Sequence, residues 1–480
     1  MMITLAIRRA TPLAAALLLA GCMNLAPKYE RPAAPVASTY ASELAPAGAP
    51  GAKVEATAAA DLDWQRFFAD PRLKKLIELA LVNNRDLRVA ILNIEQARAT
   101  YRVQRADEWP TVGAGASVQR SVAAPGSVIN TYSVGLQVTS YELDLFGRVR
   151  NLSQAALSQY LATEEARKAT QISLIASVAT GYTSLLADDE LLRVTRDTLK
   201  TREDSFQLTK LRFDNGATSE VDLRQAEQLL EGARATLAQT QRQRAQDENA
   251  LVLLLGQPLP ADLPAGLPLA QQQPVAELPA GLPSDLLTRR PDLRSAELQL
   301  QSANASIGAA RAAFFPSISL TANAGTASTE LSGLFKSGSW AFTGSASVLQ
   351  TIFDAGRNQA NLDSAKAGKD IAIAQYEKAI QTAFREVSDA LAGRATLGEQ
   401  LRAQTAQARA AQTTFELTDL RYRNGAASYL DVLDAQRSLF SARQATVQVQ
   451  ALQTQNLVTL YQVLGGGWTE PARATEAKGN

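Results

Sequence analysis

The 480-residue sequence has no histidine, a single cysteine, three methionines and only 6% aromatic residues. Without histidine it lacks the commonest general base and metal ligand. One cysteine provides neither a zinc cluster nor an internal disulfide. Charge of one sign is also missing: 48 basic residues face 47 acidic ones, so the basic excess that a nucleic-acid binder needs is not there. The sequence contains no G-x-x-x-x-G-K-[ST] phosphate loop and no G-x-S-x-G elbow, and its acids sit on long helical tracts without an aromatic cleft for a carboxylate-only glycosidase. These absences argue against an enzyme, a cofactor or a resident metal. No run of 18 apolar residues occurs, so any crossing of a membrane must be made by strands. Proline is missing from 126–257 and from 317–470. Two tracts of that length without the strongest helix breaker suggest very long helices rather than compact lobes.

What is present begins with a leader. Arg8 and Arg9 precede an apolar run from Leu13 to Ala20, followed by Gly21-Cys22. This is the charged, apolar and small-residue order of a secretory signal, too short to span a bilayer. Leu19-Ala20-Gly21-Cys22 resembles the bacterial lipobox, which implies cleavage after residue 21 and acylation of Cys22. Met23, in place of Asp, implies sorting to the outer membrane. Residues 22–60, rich in Ala and Pro, read as an acylated extended tether, and 469–480 as a disordered tail.

The most informative feature is repetition. Asp86-Leu87-Arg88 recurs as Asp292-Leu293-Arg294, and Trp109-Pro110 as Phe315-Pro316. Leu208–Gly256 matches Leu417–Gly465 with 19 identities in 49 positions. The chain therefore reads as two copies of one unit, 61–257 and 292–468, joined by a proline-rich linker, 258–291. Each copy reads helix, two strands, long helix, turn, helix. The strand assignments rest on alternation: Val112, Ala114, Ala116 and Val118 share one face, as do Tyr132, Val134, Leu136 and Val138. Ile318, Leu320, Ala322 and Ala324, and then Trp340, Phe342, Ala346 and Val348, repeat the pattern. One apolar and one small or polar face suits a barrel wall between lipid and water; taken alone the pattern favours a soluble hairpin with one buried face, and the lipobox turns the balance to the barrel. Gly147–Phe213 and Gly356–Tyr422 read as rods of roughly 100 Å. Each ends at an Asn-Gly turn (Asn215-Gly216, Asn424-Gly425) and restarts at Ser219 or Ser428, with Asp222 or Asp431 completing a capping box. Leu223, Leu230, Leu237 and Leu251, and Leu433, Phe440, Val447 and Tyr461, form narrow coiled-coil-like seams on the returning helices.

Four strands cannot close, and an open edge in lipid leaves backbone groups unpaired. Eight strands from two copies would be filled by side chains, whereas twelve from three copies leave a lumen. A channel therefore requires a homotrimer at least.

Tyr141-Glu142-Leu143-Asp144-Leu145-Phe146-Gly147-Arg148 and Tyr429-Leu430-Asp431-Val432-Leu433-Asp434-Ala435-Gln436, together with the duplication and the lipobox, resemble the TolC-like outer membrane factors, in particular their OprM/NodT-type lipoprotein branch. The resemblance covers residues 61 to 468. It implies an all-α-dominated protomer with membrane β-strands, assembled as a trimeric 12-stranded β-barrel continued by a 12-helix periplasmic α-barrel. It also implies a periplasmic adaptor, an inner-membrane pump commonly of the resistance-nodulation-division type, and contact with outer membrane lipid. Small-molecule efflux is favoured over the duct of a type I protein secretion system.

The rod length places both Asn-Gly turns at the end farthest from the strands. Asp431 and Asp434 lie one helical turn apart and would form carboxylate rings in a trimer, although Asp431 also suits a plain capping role. By resemblance, Leu430 and Arg437 join them at the periplasmic gate, and Tyr422 and Asp222 match participants in a closure network. The arginine of that network falls at Ala427, which leaves Arg421, Arg423 or Arg437 as substitutes. Gly216 and Gly425 mark the tip turns. Trp109, Tyr132, Trp340 and Phe342 are candidates for an interfacial aromatic belt.

Overall fold

The structure, a computed structural model, describes residues 23–40, 62–124, 126–272 and 287–468. The leader 1–21, Cys22, the far part of the tether, linker residues 273–286 and the tail 469–480 lie outside the described residues.

The described residues divide into two compact units: those within 1–34, 92–165 and 295–379 form the first, and those within 35–91, 166–294 and 380–480 the second. The first unit carries all four strands: β1 (Val112–Ala124), β2 (Ser127–Glu142), β3 (Ser317–Ser328) and β4 (Trp340–Leu349). They make one antiparallel sheet in the order β1-β2-β3-β4, so the halves of the duplication meet at the β2–β3 pair. Register keeps the alternation in phase across every seam. Leu136 lies opposite Ala114 and Ala324, and Ala324 lies opposite Phe342. On the other face Gln137 lies opposite Gly113 and Asn323, and Asn323 opposite Thr343. A bulge between Val138 and Tyr141, with Ser140 at φ 58°, restores the phase so that Tyr141 lies opposite Leu320. Gly135 and Gly325 form a cross-strand pair. A Cβ on Gly135 would lie 2.5 Å from the Ala324 carbonyl oxygen, so only glycine permits that approach.

The apolar face is bare. Val112, Val118, Leu136, Trp340, Phe342 and Val348 are all exposed. β1 and β4, the two edges, pair on one side only. In the same unit the extended segment after residue 22 is tied down rather than loose. The Met23 amide donates to the Leu145 carbonyl (3.1 Å), and Asn304 and Arg311 donate to the carbonyls of Pro27 and Leu25. Arg31 forks onto the mostly buried Glu297 carboxylate at 2.7 and 2.8 Å, and Tyr29 adds a third donor.

Helices make up the rest: α1 (Trp64–Phe67), α2 (Pro71–Asn83), α3 (Arg85–Ala106), α4 (Arg148–Asp214), α5 (Glu220–Leu255), α6 (Pro291–Ala312), α7 (Arg357–Arg423) and α8 (Tyr429–Val463). The first half opens with three helices where the sequence suggested one. Asp70 caps α2 ahead of Pro71, and Asn84 breaks α2 from α3: its side chain accepts from the Leu87 amide and donates to the Leu254 carbonyl. The last helix stops at Val463, just ahead of three consecutive glycines, 465–467.

The core of the second unit combines aromatic and aliphatic side chains. The Phe67 ring stacks on Tyr461 with centroids 4.1 Å apart, and Leu73, Leu76, Ile77, Leu251 and Leu255 are buried. Each such side chain contributes roughly 1.5–3 kcal/mol on leaving water. Asp70, itself buried, accepts from the amides of Arg72, Leu73 and Leu267, from the Tyr182 hydroxyl and from Gln272, which fixes the linker against α2 and α4. Leu230, Leu251, Leu433, Val447 and Tyr461 are buried as the seams require, while Leu223, Leu237 and Phe440 are half-buried. No helix among the described residues is long and apolar enough to cross a membrane.

Candidate functional site: the two helical turns and the bare sheet face

The two turns are built alike because their sequences are alike. Gly216 and Gly425 sit at φ 70° and 73°, a left-handed conformation that glycine adopts without cost. Gly216 and Ala217 donate to the carbonyls of Phe213 and Arg212; Gly425 and Ala426 donate to those of Tyr422 and Arg421. This satisfies carbonyls that a helix end leaves unpaired. Asn215 and Asn424 each cap a carbonyl four residues back at 2.7 Å. Ser219 and Ser428 then start α5 and α8 with complete capping boxes to Asp222 and Asp431.

The side chains around the turns differ. The Asp222 carboxylate accepts from Thr218 Oγ1 at 2.7 Å and from the Ser219 hydroxyl and amide. These donors, the Thr218 hydroxyl foremost, hold its pKa below the usual carboxylate range. Among the described residues Asp431 has only the Ser428 pair, because Ala427 stands where the first half has Thr218. At the feet of the helices Lys210 pairs with Asp214, whereas Arg423 pairs with Asp419: the same two positions with the signs exchanged.

Tyr422 is the hub. Its hydroxyl accepts from Arg212 Nη1 at 2.6 Å, and the Arg212 guanidinium carbon lies 4.9 Å from its ring centroid. The Tyr422 ring lies 5.3 Å from that of Tyr429, whose hydroxyl meets Ser205 Oγ at 2.9 Å. Burial raises the Tyr422 pKa, Arg212 opposes the rise, and the Asp222 charge adds to it. Ala226, Tyr429, Val432 and Leu433 form a buried cluster beneath, with Phe206, Leu229, Phe415 and Tyr422 against it. All four long helices thus meet at one aromatic knot.

Among the expected gate residues, Leu430 and Asp431 are exposed, and Asp434 pairs with Arg437 at 3.3 Å with both side chains more than half exposed. Tyr422 and Asp222 are close enough for the Asp222 charge to act on the Tyr422 hydroxyl. Within the chain, Arg421 donates to the Ala426 carbonyl, Arg423 to Asp419 and Arg437 to Asp434, while Arg212 is the cation on Tyr422. Sequence reasoning overlooked Arg212 and Tyr429. A signal existed in the repeat: arginine occupies both 212 and 421, but tyrosine replaces Phe213 at 422 and Glu220 at 429.

A second asymmetry lies further along the same helices. Asp188 on α4 is buried beside Asp247 on α5, where the second half has Leu397 and Asn456. Burial first, then the hydrogen bond and charge of Asp247, push the Asp188 carboxyl up to about 7; Asp189 adds to this and Arg244 opposes it.

On the sheet, Tyr132 lies opposite Val118 and Ser328, and Trp340 opposite Thr326, all toward the hairpin ends; Phe342 is two residues further in. Trp109, exposed, precedes β1 at the other end of the sheet.

A bare apolar sheet face with unpaired edges, on a duplicated chain of long capped helices, is the architecture of an outer membrane channel protomer. The family model "outer membrane efflux protein" matches residues 76–257 and 282–466, and the chain belongs to that family. It is 49% identical over 462 residues to the toluene efflux pump outer membrane protein TtgC of Pseudomonas putida, covering 95% of this chain and 94% of that protein. It is 45% identical over 457 residues to outer membrane protein OprJ of Pseudomonas aeruginosa, covering 94% of each. Among solved structures it is similar to the open-state MtrE outer membrane channel of Neisseria gonorrhoeae, with a TM-score of 0.83, 44% identity and coverage of 92% of this chain and 98% of that one.

Proposed function

We propose that three copies of the chain close into a 12-stranded barrel continued by a 12-helix tube, and that this trimer is the outer membrane exit duct of a tripartite efflux system. A periplasmic adaptor and an inner-membrane pump of the resistance-nodulation-division type deliver drugs or other small molecules to it, and the duct conducts them passively. The observation that carries this reading is the sheet with one bare apolar face and two unpaired edges. From Ile318 to Ser328 that face runs about 33 Å along the strand; at a tilt of roughly 40° it spans about 25 Å, the height of a barrel's lipid-facing band. Trp109 at one end and Tyr132, Trp340 and Phe342 toward the other suit the two interfacial levels. The small and polar opposite face suits a wet lumen. The efflux-pump relatives support the assignment of partners and of small-molecule cargo.

In the resting trimer, Asp431 and Asp434 ring the narrow end with Leu430 and Arg437 beside them. Tyr422 and Asp222, turned by Gly216 and Gly425, hold it shut. Cys22 carries the lipid, and no other prosthetic group or catalytic residue takes part.

Purified protein reconstituted in a planar bilayer tests the reading. Trimers with discrete cation-preferring conductance are expected, with the preference reduced by Asp434→Asn. A stably monomeric, electrically silent protein overturns it.

A further inference from the structure

Between α4, α7 and α8 lies a cleft of about 130 Å³ whose lining includes Arg202, Gln412, Gln436, Phe440 and Arg443. Its charge is unbalanced. Arg202 is only 6% exposed, yet it makes no ion pair among the described residues: Nη1 donates to the Leu229 carbonyl at 3.0 Å, the guanidinium carbon lies 5.2 Å from the Phe440 ring centroid, and Nε has no hydrogen-bond partner. Arg443 makes no ion pair there either; it donates Nη2 to the neutral Gln412 amide oxygen at 2.6 Å. Gln436, 7% exposed, has an amide oxygen without a partner. The one acid of the lining, Asp197, is engaged by Arg193 at 3.1 Å. Burial and the neighbouring Arg437 charge both press the Arg202 pKa below its ordinary value. A buried guanidinium that hydrogen bonds satisfy only in part is costly unless an anion meets it.

The other half of the chain shows what is missing. Arg443 is the repeat counterpart of Arg234, and Arg234 has two carboxylates: Glu231 at 2.7 Å and Glu203 at 3.5 Å. At the positions of Glu231 and Glu203 the second half has Phe440 and Gln412. The arginine is common to both halves but its two acids are present in the first half alone, while Arg202, whose own counterpart is Ala411, brings a second cation. Thr198 and Thr201 add no donors, since their hydroxyls point protons at the carbonyls of Val194 and Asp197.

We propose that this cleft binds a small oxyanion, a carboxylate or phosphate group, between the guanidiniums of Arg202 and Arg443. The planar forks of two arginines match the paired oxygens of such a group. The inference stands on the cleft alone and does not depend on the duct reading.

The test uses the purified full-length protein in zwitterionic buffer, titrated with inorganic phosphate, with acetate, and with sodium chloride at matched ionic strength. Melting temperature and calorimetric binding are the readouts. Wild type should show a saturable response to phosphate or acetate beyond the chloride series. Arg202→Met should melt at least as high as wild type without oxyanion and bind phosphate at least tenfold more weakly. Gln412→Glu restores the carboxylate that the first half has and should also lose the response; it carries the test if Arg202→Met does not fold. The proposal is overturned if wild type shows no saturable response to either oxyanion, or if Gln412→Glu responds as wild type does.

Discussion

The sheet and the helical turns use the same duplication in opposite ways. In the sheet the two halves merge: rows such as Ala114, Leu136, Ala324 and Phe342 cross from one half to the other without a change of character. At the turns the backbone is copied almost bond for bond, yet the side chains part company. Thr218 becomes Ala427, Glu220 becomes Tyr429, and the Lys210–Asp214 pair returns as Asp419–Arg423. A wall needs uniformity, because any apolar position breached is breached for the whole surface. A closure of the kind proposed for the turns would need difference, because two identical turns have nothing complementary to offer each other.

The largest expected effect tests the uniformity of the wall. Leu136→Arg on the bare face should destabilise the membrane-inserted protein by about 2–4 kcal/mol, whereas Gln137→Arg, one residue along on the other face, should be tolerated. Urea unfolding of the reconstituted protein separates the two, and equal effects would mean that the faces are not distinct. Next in size is Arg212→Gln, which removes a charge-assisted hydrogen bond of about 1.5–3 kcal/mol from Tyr422 and should raise open-channel probability. Arg421→Gln, the same residue in the other half, should change conductance little, since its partner is one exposed carbonyl.

Asp188→Asn probes an asymmetry confined to the first half. The folded chain holds the Asp188 proton up to about pH 7, while the unfolded chain releases it near an ordinary carboxyl value. Stability from this group is therefore present at low pH and lost as pH rises toward 7. The variant should melt higher than wild type at pH 8 and show a flatter pH profile below 7; an unchanged profile would mean that the Asp188–Asp247 pair does not hold a proton in this range. The smallest effect exchanges the turn donors. Thr218→Ala should cost about 0.5–1 kcal/mol and Ala427→Thr should recover part of that amount at the other turn. Because the Asp222 pKa is depressed, its contribution is present above the unfolded carboxyl value and fades as pH falls through the depressed one. Thr218→Ala should move that loss to higher pH, read from melting temperature in mild acid.

The periodic parts of the chain are legible in its residue order alone. Strand alternation, the Asn-Gly turns and the Ser-x-x-Asp boxes are local chemistry, and local chemistry writes itself into spacing. Contacts set by tertiary approach leave no such trace: Arg212 on Tyr422, Arg31 on Glu297 across 266 positions, and the break at Asn84, whose side chain reaches a carbonyl 170 residues away. A residue-by-residue comparison of the halves exposes some of them, since a duplicated arginine whose neighbours change announces a new partner.

The tie between the Met23 amide and Leu145 has a consequence for membrane attachment. Leu145 follows β2 by three residues, so the lipid proposed for Cys22 would be attached next to a residue, Met23, that is held close to where that strand ends. Acyl chains on Cys22 would then act less as a leash than as a fixed float at the waterline. Replacing Arg31 would let that float drift without altering the hull.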